Sequence, residues 1–145
     1  MPNWYTTLQM PGIAGEARLF KDGEFTLDGQ EMRETEVLSE DEISFFAPRP
    51  PLPEMSDLSA RYPDRPVAVT FLESGGRKFH TWVFFAGQLR YFAELDPGPE
   101  ERATGFEEVT GKLRAAFEGG TITPGSVTVI VSRSGDARAR IISAV

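Results

Sequence analysis

The stretch that most constrains the fold of this chain runs from Pro66 to Leu95 and is rich in apolar and aromatic residues. Two glycine-containing segments, Glu73–Arg77 and Ala86–Gln88, divide it into three apolar runs. Because glycine supplies the positive φ of tight hairpins, the pattern predicts three consecutive antiparallel strands. The second run, around Trp82 and Phe84, is apolar at successive positions. Both of its faces must therefore be covered, by other parts of the chain or by a partner.

The remaining segments predict two helices and further strands. A short helix is expected over Pro53–Tyr62, after a proline-rich segment, and a long one over Glu100–Glu118, where apolar residues recur every three or four positions. A last hairpin is predicted from Val127–Val131 and Ala137–Ile142. The first segment consists of β-branched residues, and in the second arginines alternate with apolar residues. Shorter strands are expected before Pro66, at Asn3–Gln9, Glu16–Phe20, Glu24–Asp28 and Ile43–Phe46.

These elements indicate the fold class. Runs of strands combined with a few helices are typical of an α+β protein. The 145 residues are enough for one domain with a sizeable core. We therefore predict a single α+β domain over residues 1–145, built on an antiparallel β-sheet with one long and one short helix.

Negative charge is concentrated in one part of the chain. Between Glu16 and Glu42 there are ten acidic and three basic residues, so this part carries the whole net charge of −7. Within it, the segment Gln30–Glu42 has no clear period and is interpreted as an exposed acidic connection. Phosphate binding requires the opposite sign, so nucleic acid is not the expected partner. A solvated face is the simplest interpretation, and a docking surface for a basic protein is the functional one.

The residue types present argue against several chemistries. The chain has no cysteine and one histidine, His80, which excludes thiolate sites and imidazole pairs. Glu73 lies close to His80 in sequence and could tune a general base, but no nucleophile is placed beside them. We therefore expect no cofactor and no metal, and favour a non-enzymatic function. No apolar window approaches the roughly 20 residues of a membrane span. The N-terminus does not match a secretory signal, so a cytoplasmic location is expected.

Residues 43–89 resemble a known domain family. The stretch contains Phe45-Phe46, Pro50-Pro51, a short helix over Met55–Tyr62 and two strands, Val67–Glu73 and Phe79–Leu89. This arrangement resembles the YubB-like ferredoxin-like domains of plasmid and phage proteins. The resemblance implies a ferredoxin-like core and a bacterial accessory protein, and it offers no catalytic site. The chain departs from that pattern before Ile43, where the family's first helix is missing, and after Leu95, where further elements follow.

Three hypotheses about function follow from the sequence. The first is a protein-interaction factor, of the inhibitor, immunity or accessory type, that binds another protein and is compatible with a homo-oligomer. The second is a module that holds a small apolar ligand between the sheet and the Glu100–Glu118 helix. The third is an enzyme that uses acids such as Glu73 or Glu94. We rank the first highest, and its candidate protein-binding residues are Glu31, Glu34, Glu36, Glu40, Asp41, Glu42, Trp82 and Phe84.

Overall fold

The structure, a computed structural model, describes residues 3–27, 29–73, 78–95, 102–134 and 140–142. Ten strands and three α-helices lie within these ranges, together with two 3-10 turns at Ile13–Gly15 and Ala17–Leu19. The helices are α1 (Leu52–Arg61), α2 (Arg102–Glu118) and α3 (Pro124–Ser134). The strands are β1 (Trp4–Gln9), β2 (Phe20–Lys21), β3 (Glu24–Leu27), β4 (Gln30–Glu31), β5 (Arg33–Ser39), β6 (Glu42–Ala47), β7 (Val67–Glu73), β8 (Phe79–Phe85), β9 (Gln88–Leu95) and β10 (Arg140–Ile142).

Seven strands form the main sheet, in the order β10-β9-β8-β7-β1-β6-β5. All of its pairings are antiparallel, and a small three-stranded sheet has the order β2-β3-β4. The three consecutive strands predicted from the sequence are confirmed as β7, β8 and β9. The turn between β8 and β9 uses positive φ at Ala86 (52°) and Gly87 (81°), as a tight hairpin requires. Residues 74–77 of the other predicted turn lie outside the described residues.

One crossover connection sets the order of the central strands. Strands β6 and β7 are both antiparallel to β1, which lies between them, so they run parallel to each other and α1 connects them. This is a split β-α-β unit. A ferredoxin-like core combines two such units, whereas β10 here returns beside β9 as its antiparallel neighbour. The described residues therefore confirm the predicted α+β class with an antiparallel sheet. Their strand order does not confirm the predicted ferredoxin-like core.

Both faces of the central strands of the main sheet are covered. On the first face, Leu8, Val69 and Phe84 belong to one apolar cluster with residues of α1 and the small sheet. On the second face, Ala68, Val83 and other strand residues pack with apolar residues of α2 and α3. We call these the α1 face and the α2 face. Full burial of a large apolar side chain stabilises the fold by about 1.5–3 kcal/mol. The two apolar clusters, with the central strands between them, therefore form the core of the protein.

The prediction that Val127–Val131 forms the first strand of a final hairpin is wrong. That segment lies within α3, so the described residues contain three helices. Thr123 and Ser126 exchange hydrogen bonds from their backbone amides to each other's hydroxyls, at 2.7 and 3.2 Å, and Pro124 occupies the first helical position. Val127 and Val131, one turn apart, are buried against the α2 face. Capping and burial therefore outweigh the β propensity of the valines. Residues 137–139 lie outside the described residues, whereas Arg140–Ile142 do form a strand.

The predictions for the N-terminal part are confirmed for three segments and differ in two. The strands expected at Asn3–Gln9, Glu24–Asp28 and Ile43–Phe46 correspond to β1, β3 and β6, with Asp28 outside the described residues. Glu16–Phe20 is instead mainly a 3-10 turn. The acidic connection expected over Gln30–Glu42 contains the two strands β4 and β5, which changes the interpretation of its charged residues.

Candidate functional site

The acidic segment forms an edge of the main sheet. Strand β5 is the last strand in the order and carries Glu34 and Glu36, while Glu31 precedes it and Glu40 follows it. All four of these side chains are exposed. The largest exposed apolar side chains of this region, Val37 (56% exposed) and Leu38 (45%), lie among them. We call this surface the acidic edge: Glu31, Glu34, Glu36, Val37, Leu38 and Glu40.

Two irregularities shape the acidic edge. The pairing of β5 with β6 shifts between Arg33 and Glu36, and again between Val37 and Ser39. Glu34 lies in the first shift with φ of 54°, the left-handed conformation that many bulges require. Leu38 lies in the second shift. Bulges increase the local twist of a strand and redirect side chains. Six of the seven β5 side chains are exposed.

Asp41 has a structural role and is only partly exposed. Its carboxylate oxygen Oδ1 accepts a hydrogen bond of 2.8 Å from the backbone amide of Gly12. Its carbonyl accepts one of 2.9 Å from the amide of Met10, and the carbonyl of Glu40 accepts one of 3.0 Å from Ala14. The turn between β5 and β6 therefore holds the loop after β1. Asp41 is therefore excluded from the acidic edge, and its docking role stays a prediction.

Glu42 lies inside the protein, 2% exposed, and was expected on the surface. Its two carboxylate oxygens accept hydrogen bonds from Nε and Nη2 of Arg114 on α2, at 2.7 and 2.8 Å. Gln9 Nε2 also donates to it, at 3.2 Å. The hydrogen bonds that Arg114 donates to the Glu42 carboxylate raise the pKa of the Arg114 guanidinium above its usual value. This bidentate pair joins β6 to α2, so the prediction that Glu42 contacts a partner is corrected.

The polar depression beside this pair is too small for a ligand. It is lined by residues that include Gln9, Asp41, Glu42 and Arg114, and its cavity measures about 10 Å³. That volume holds roughly one water molecule. The pair therefore fastens α2 to the sheet and does not form a binding pocket.

The two aromatic candidates lie far from the acidic edge. Trp82 is half-buried and Phe84 is 3% exposed, so the expectation that Phe84 faces a partner is corrected. Trp82 stacks on Phe92 with ring centroids 4.8 Å apart. Three strands separate β8 from β5, which places the two groups about 19 Å apart. The eight candidate residues therefore do not form one site.

Buried side chains fill the space between the sheet and the described part of α2. Phe106, Val109 and Leu113 of α2 are 4%, 0% and 0% exposed and belong to the cluster on the α2 face. Phe106 contacts Phe79 of β8 with ring centroids 5.8 Å apart. The space in which the ligand-binding hypothesis places a small apolar molecule is occupied here by the core of the protein.

His80 is packed among aromatic rings on the α1 face. Its ring stacks on Phe71 with centroids 5.1 Å apart and an interplanar angle of 17°, and Trp4 lies 6.4 Å away. Desolvation by burial lowers the pKa of His80 below its ordinary value of 6.5; nearby Glu94 opposes this shift and Lys78 adds to it. Glu94 itself forms an ion pair of 2.9 Å with Lys78. The side chain of Glu73 lies outside the described residues. This environment favours a neutral, structural histidine.

The lowered pKa of His80 predicts a pH dependence of stability. The unfolded chain takes up a proton on this residue near pH 6.5 and the folded chain only at lower pH, so the contribution of His80 to stability is complete above pH 6.5 and is lost as the pH falls through the folded pKa. We expect the free energy of unfolding to decrease between pH 7 and 5, and His80→Gln to remove part of that decrease. Urea unfolding of both proteins across this range measures it. An identical pH dependence in the two proteins would contradict the assignment.

Comparisons with known proteins give no family assignment. No protein-family model, no curated protein and no solved structure matches this chain significantly. Among the residues that the structure describes, no three histidine or acidic side chains are grouped so as to hold a metal ion. In the same ranges, no helix has the length and apolar character needed to cross a membrane. The acidic edge, where four exposed glutamates lie beside two exposed apolar side chains, is the candidate binding surface among the described residues.

Proposed function

We propose that this chain is a non-enzymatic interaction protein, of the inhibitor, immunity or accessory type, and that it binds a basic protein through the acidic edge. One observation carries the proposal: Val37 and Leu38, about half exposed, stand on an edge strand among four exposed glutamates. An apolar contact surrounded by charge of one sign is the arrangement that a complementary partner covers.

The two kinds of side chain have different roles in this proposal. Burying Val37 and Leu38 under a partner removes apolar area from water and favours the complex. The glutamates increase the rate of encounter with a positively charged surface and disfavour acidic proteins. Among the described residues, no hydrogen bond or ion pair holds the carboxylates of these four glutamates, whereas Asp41 and Glu42 are held by Gly12 and Arg114. Trp82 and Phe84 are left out of the proposed surface, since they lie on another strand and are largely buried.

The split β-α-β unit adds a second, separate proposal about origin. It consists of β6, α1 and β7 and lies within the stretch that resembles YubB-like domains. We propose that this part of the chain, with β1 between its two strands, derives from a ferredoxin-like core, to which β2–β5, α2 and α3 were added. An accessory role in a bacterial cytoplasm agrees with that origin.

Crosslinking in the native host tests the proposed surface directly. A photo-reactive phenylalanine analogue replaces Val37 in one protein and Val129 of α3 in a control, since the two side chains are exposed to a similar extent (56% and 51%). We expect the same discrete protein adduct in repeated experiments from position 37 and none from position 129. Equal adducts from both positions, or none from position 37, would contradict the proposal.

Neutralising the acidic edge is expected to weaken that complex. Glu31, Glu34, Glu36 and Glu40 are changed together to glutamine, and the association rate with the purified crosslinked partner is measured at low and high salt. We expect a decrease of about tenfold or more at low salt and a much smaller salt dependence, because the charges act by long-range attraction.

A matched variant controls for the change in net charge. It carries Asp57→Asn with Glu107→Gln, Glu108→Gln and Glu118→Gln, four exposed acids of α1 and α2. If this control slows association as much as the acidic-edge variant does, the effect comes from net charge and the proposed surface is wrong. Unfolding in urea verifies that both variants are folded.

A further inference from the structure

We propose that the partner binds as an added β-strand along Glu36–Ser39, and that this strand alternates basic with apolar residues. The inference rests on the proposed function and adds the mode of binding and the chemistry of the partner segment. Addition of a strand to a sheet edge is a common way of binding an extended peptide. This mode of binding requires an edge with unpaired backbone groups, side chains that select the partner strand, and side chains that disfavour other strands.

The free part of the edge is the second half of β5. The first half lies beside the small sheet, where the amide of Thr35 donates to Glu24 Oε1 (3.1 Å) and the Thr35 hydroxyl accepts from the amide of Phe25 (2.8 Å). The residues Glu36–Ser39 are all exposed, and among the described strands β5 pairs only with β6. Four residues extend about 13 Å. In a regular strand every second residue directs its amide and carbonyl outward, and the shift at Leu38 interrupts this alternation after Val37.

The side chains along this edge define what a neighbouring strand must carry. Glu36 lies opposite Ser44 in the register with β6, and Val37 lies opposite Ile43, so the two point to opposite faces of the sheet. Neighbouring strands place their side chains next to one another on each face. A segment with a lysine or arginine beside Glu36 and an apolar residue beside Val37 satisfies both. The partner segment is therefore extended, basic on one face and apolar on the other.

The same residues reject a second copy of this chain. Antiparallel pairing of two β5 strands brings the glutamates of one near those of the other, and like charges across a strand pair are unfavourable. The two bulges also twist the edge, which is one way in which proteins avoid uncontrolled edge pairing. Selection of the basic strand thus combines attraction to that strand with repulsion of the chain's own copy.

Synthetic peptides test the mode of binding. The probe is an eight-residue peptide of alternating lysine and valine with both ends blocked, and a second peptide has the same side chains with every backbone amide methylated. Hydrogen exchange of the Glu36–Ser39 amides and the dissociation constant are measured for the wild type and the four-glutamine variant. We expect protection of these amides, a loss of about tenfold or more in affinity on methylation, and weaker binding to the variant.

The outcomes separate this inference from the proposed function. If the methylated peptide binds as well as the first and still depends on the glutamates, docking on the acidic edge stands and strand addition is overturned. If the lysine–valine peptide does not bind at millimolar concentration, or protects amides elsewhere, strand addition is also overturned. The crosslinking from position 37 then decides the proposed function by itself. A peptide of alternating glutamate and valine is expected not to bind, and its binding would overturn the proposed selection by charge.

Discussion

Replacing Phe84 with alanine is expected to lower the free energy of unfolding by about 3–5 kcal/mol. The side chain is 3% exposed and belongs to the apolar cluster between the sheet and α1. It also stacks near Trp82, with ring centroids 6.3 Å apart. The change removes a large buried ring, and the cavity that remains adds to the lost transfer free energy. Equilibrium unfolding in urea, monitored by tryptophan fluorescence and by circular dichroism, measures the loss.

The matched control for Phe84 is an exposed valine. Val129→Ala removes an apolar side chain that is 51% exposed, and its effect on stability is expected to stay within about 0.5 kcal/mol. If Phe84→Ala were as mild as this control and instead abolished binding of the crosslinked partner, Phe84 would be an interface residue. That result would contradict the covered sheet described above and would support the surface role suggested by the sequence.

Replacing Arg114 with alanine is expected to cost about 2–4 kcal/mol of stability. The change leaves the Glu42 carboxylate, 2% exposed, without its two charge-assisted hydrogen bonds and with Gln9 as its remaining donor. The Arg114 side chain is itself 41% exposed, so we expect a loss near or just below the lower end of the range usual for breaking a buried pair. Because the pair joins β6 to α2, hydrogen exchange should also increase first in α2.

An exposed ion pair in the same helix controls for the loss of a positive charge. Lys112 and Glu108 are 3.8 Å apart, with 42% and 46% of their side chains exposed. Lys112→Ala is therefore expected to change the stability by less than about 1 kcal/mol. The double variant Glu42→Gln with Arg114→Ala should recover part of the loss, since it leaves no buried charge unpaired. Equal effects of Arg114→Ala and Lys112→Ala would show that Glu42 is not held as described.

The acidic segment shows how local patterns can mislead about function. The sequence suggests one surface for the six acidic candidates between Glu31 and Glu42, because they lie close together in the chain and share a charge. The structure separates them, because Glu42 is the first residue of a buried strand and Asp41 lies in the turn before it. No local signal marks Glu42 as structural, since its partner Arg114 is 72 positions away. Val37 and Leu38 are not among the sequence candidates for a related reason: a segment without a clear period is interpreted as an exposed connection and does not reveal that it is an edge strand.

The sequence alone determined the three central strands and the α+β class. Alternating apolar residues and glycine turns act over a few residues, so the formation and pairing of β7, β8 and β9 follow from local sequence, whereas their burial depends on the helices and the small sheet. Only the tertiary structure decided the conformation of Val127–Val131 and the exposure of the acidic side chains. A cap formed by Thr123 and Ser126 and contacts with α2 made the valines helical, although their intrinsic preference is for strands. Likewise, the position of each strand in the sheet decided which carboxylates are buried and which face solvent. Charge and propensity are properties of single residues, whereas burial depends on what the rest of the chain places against them.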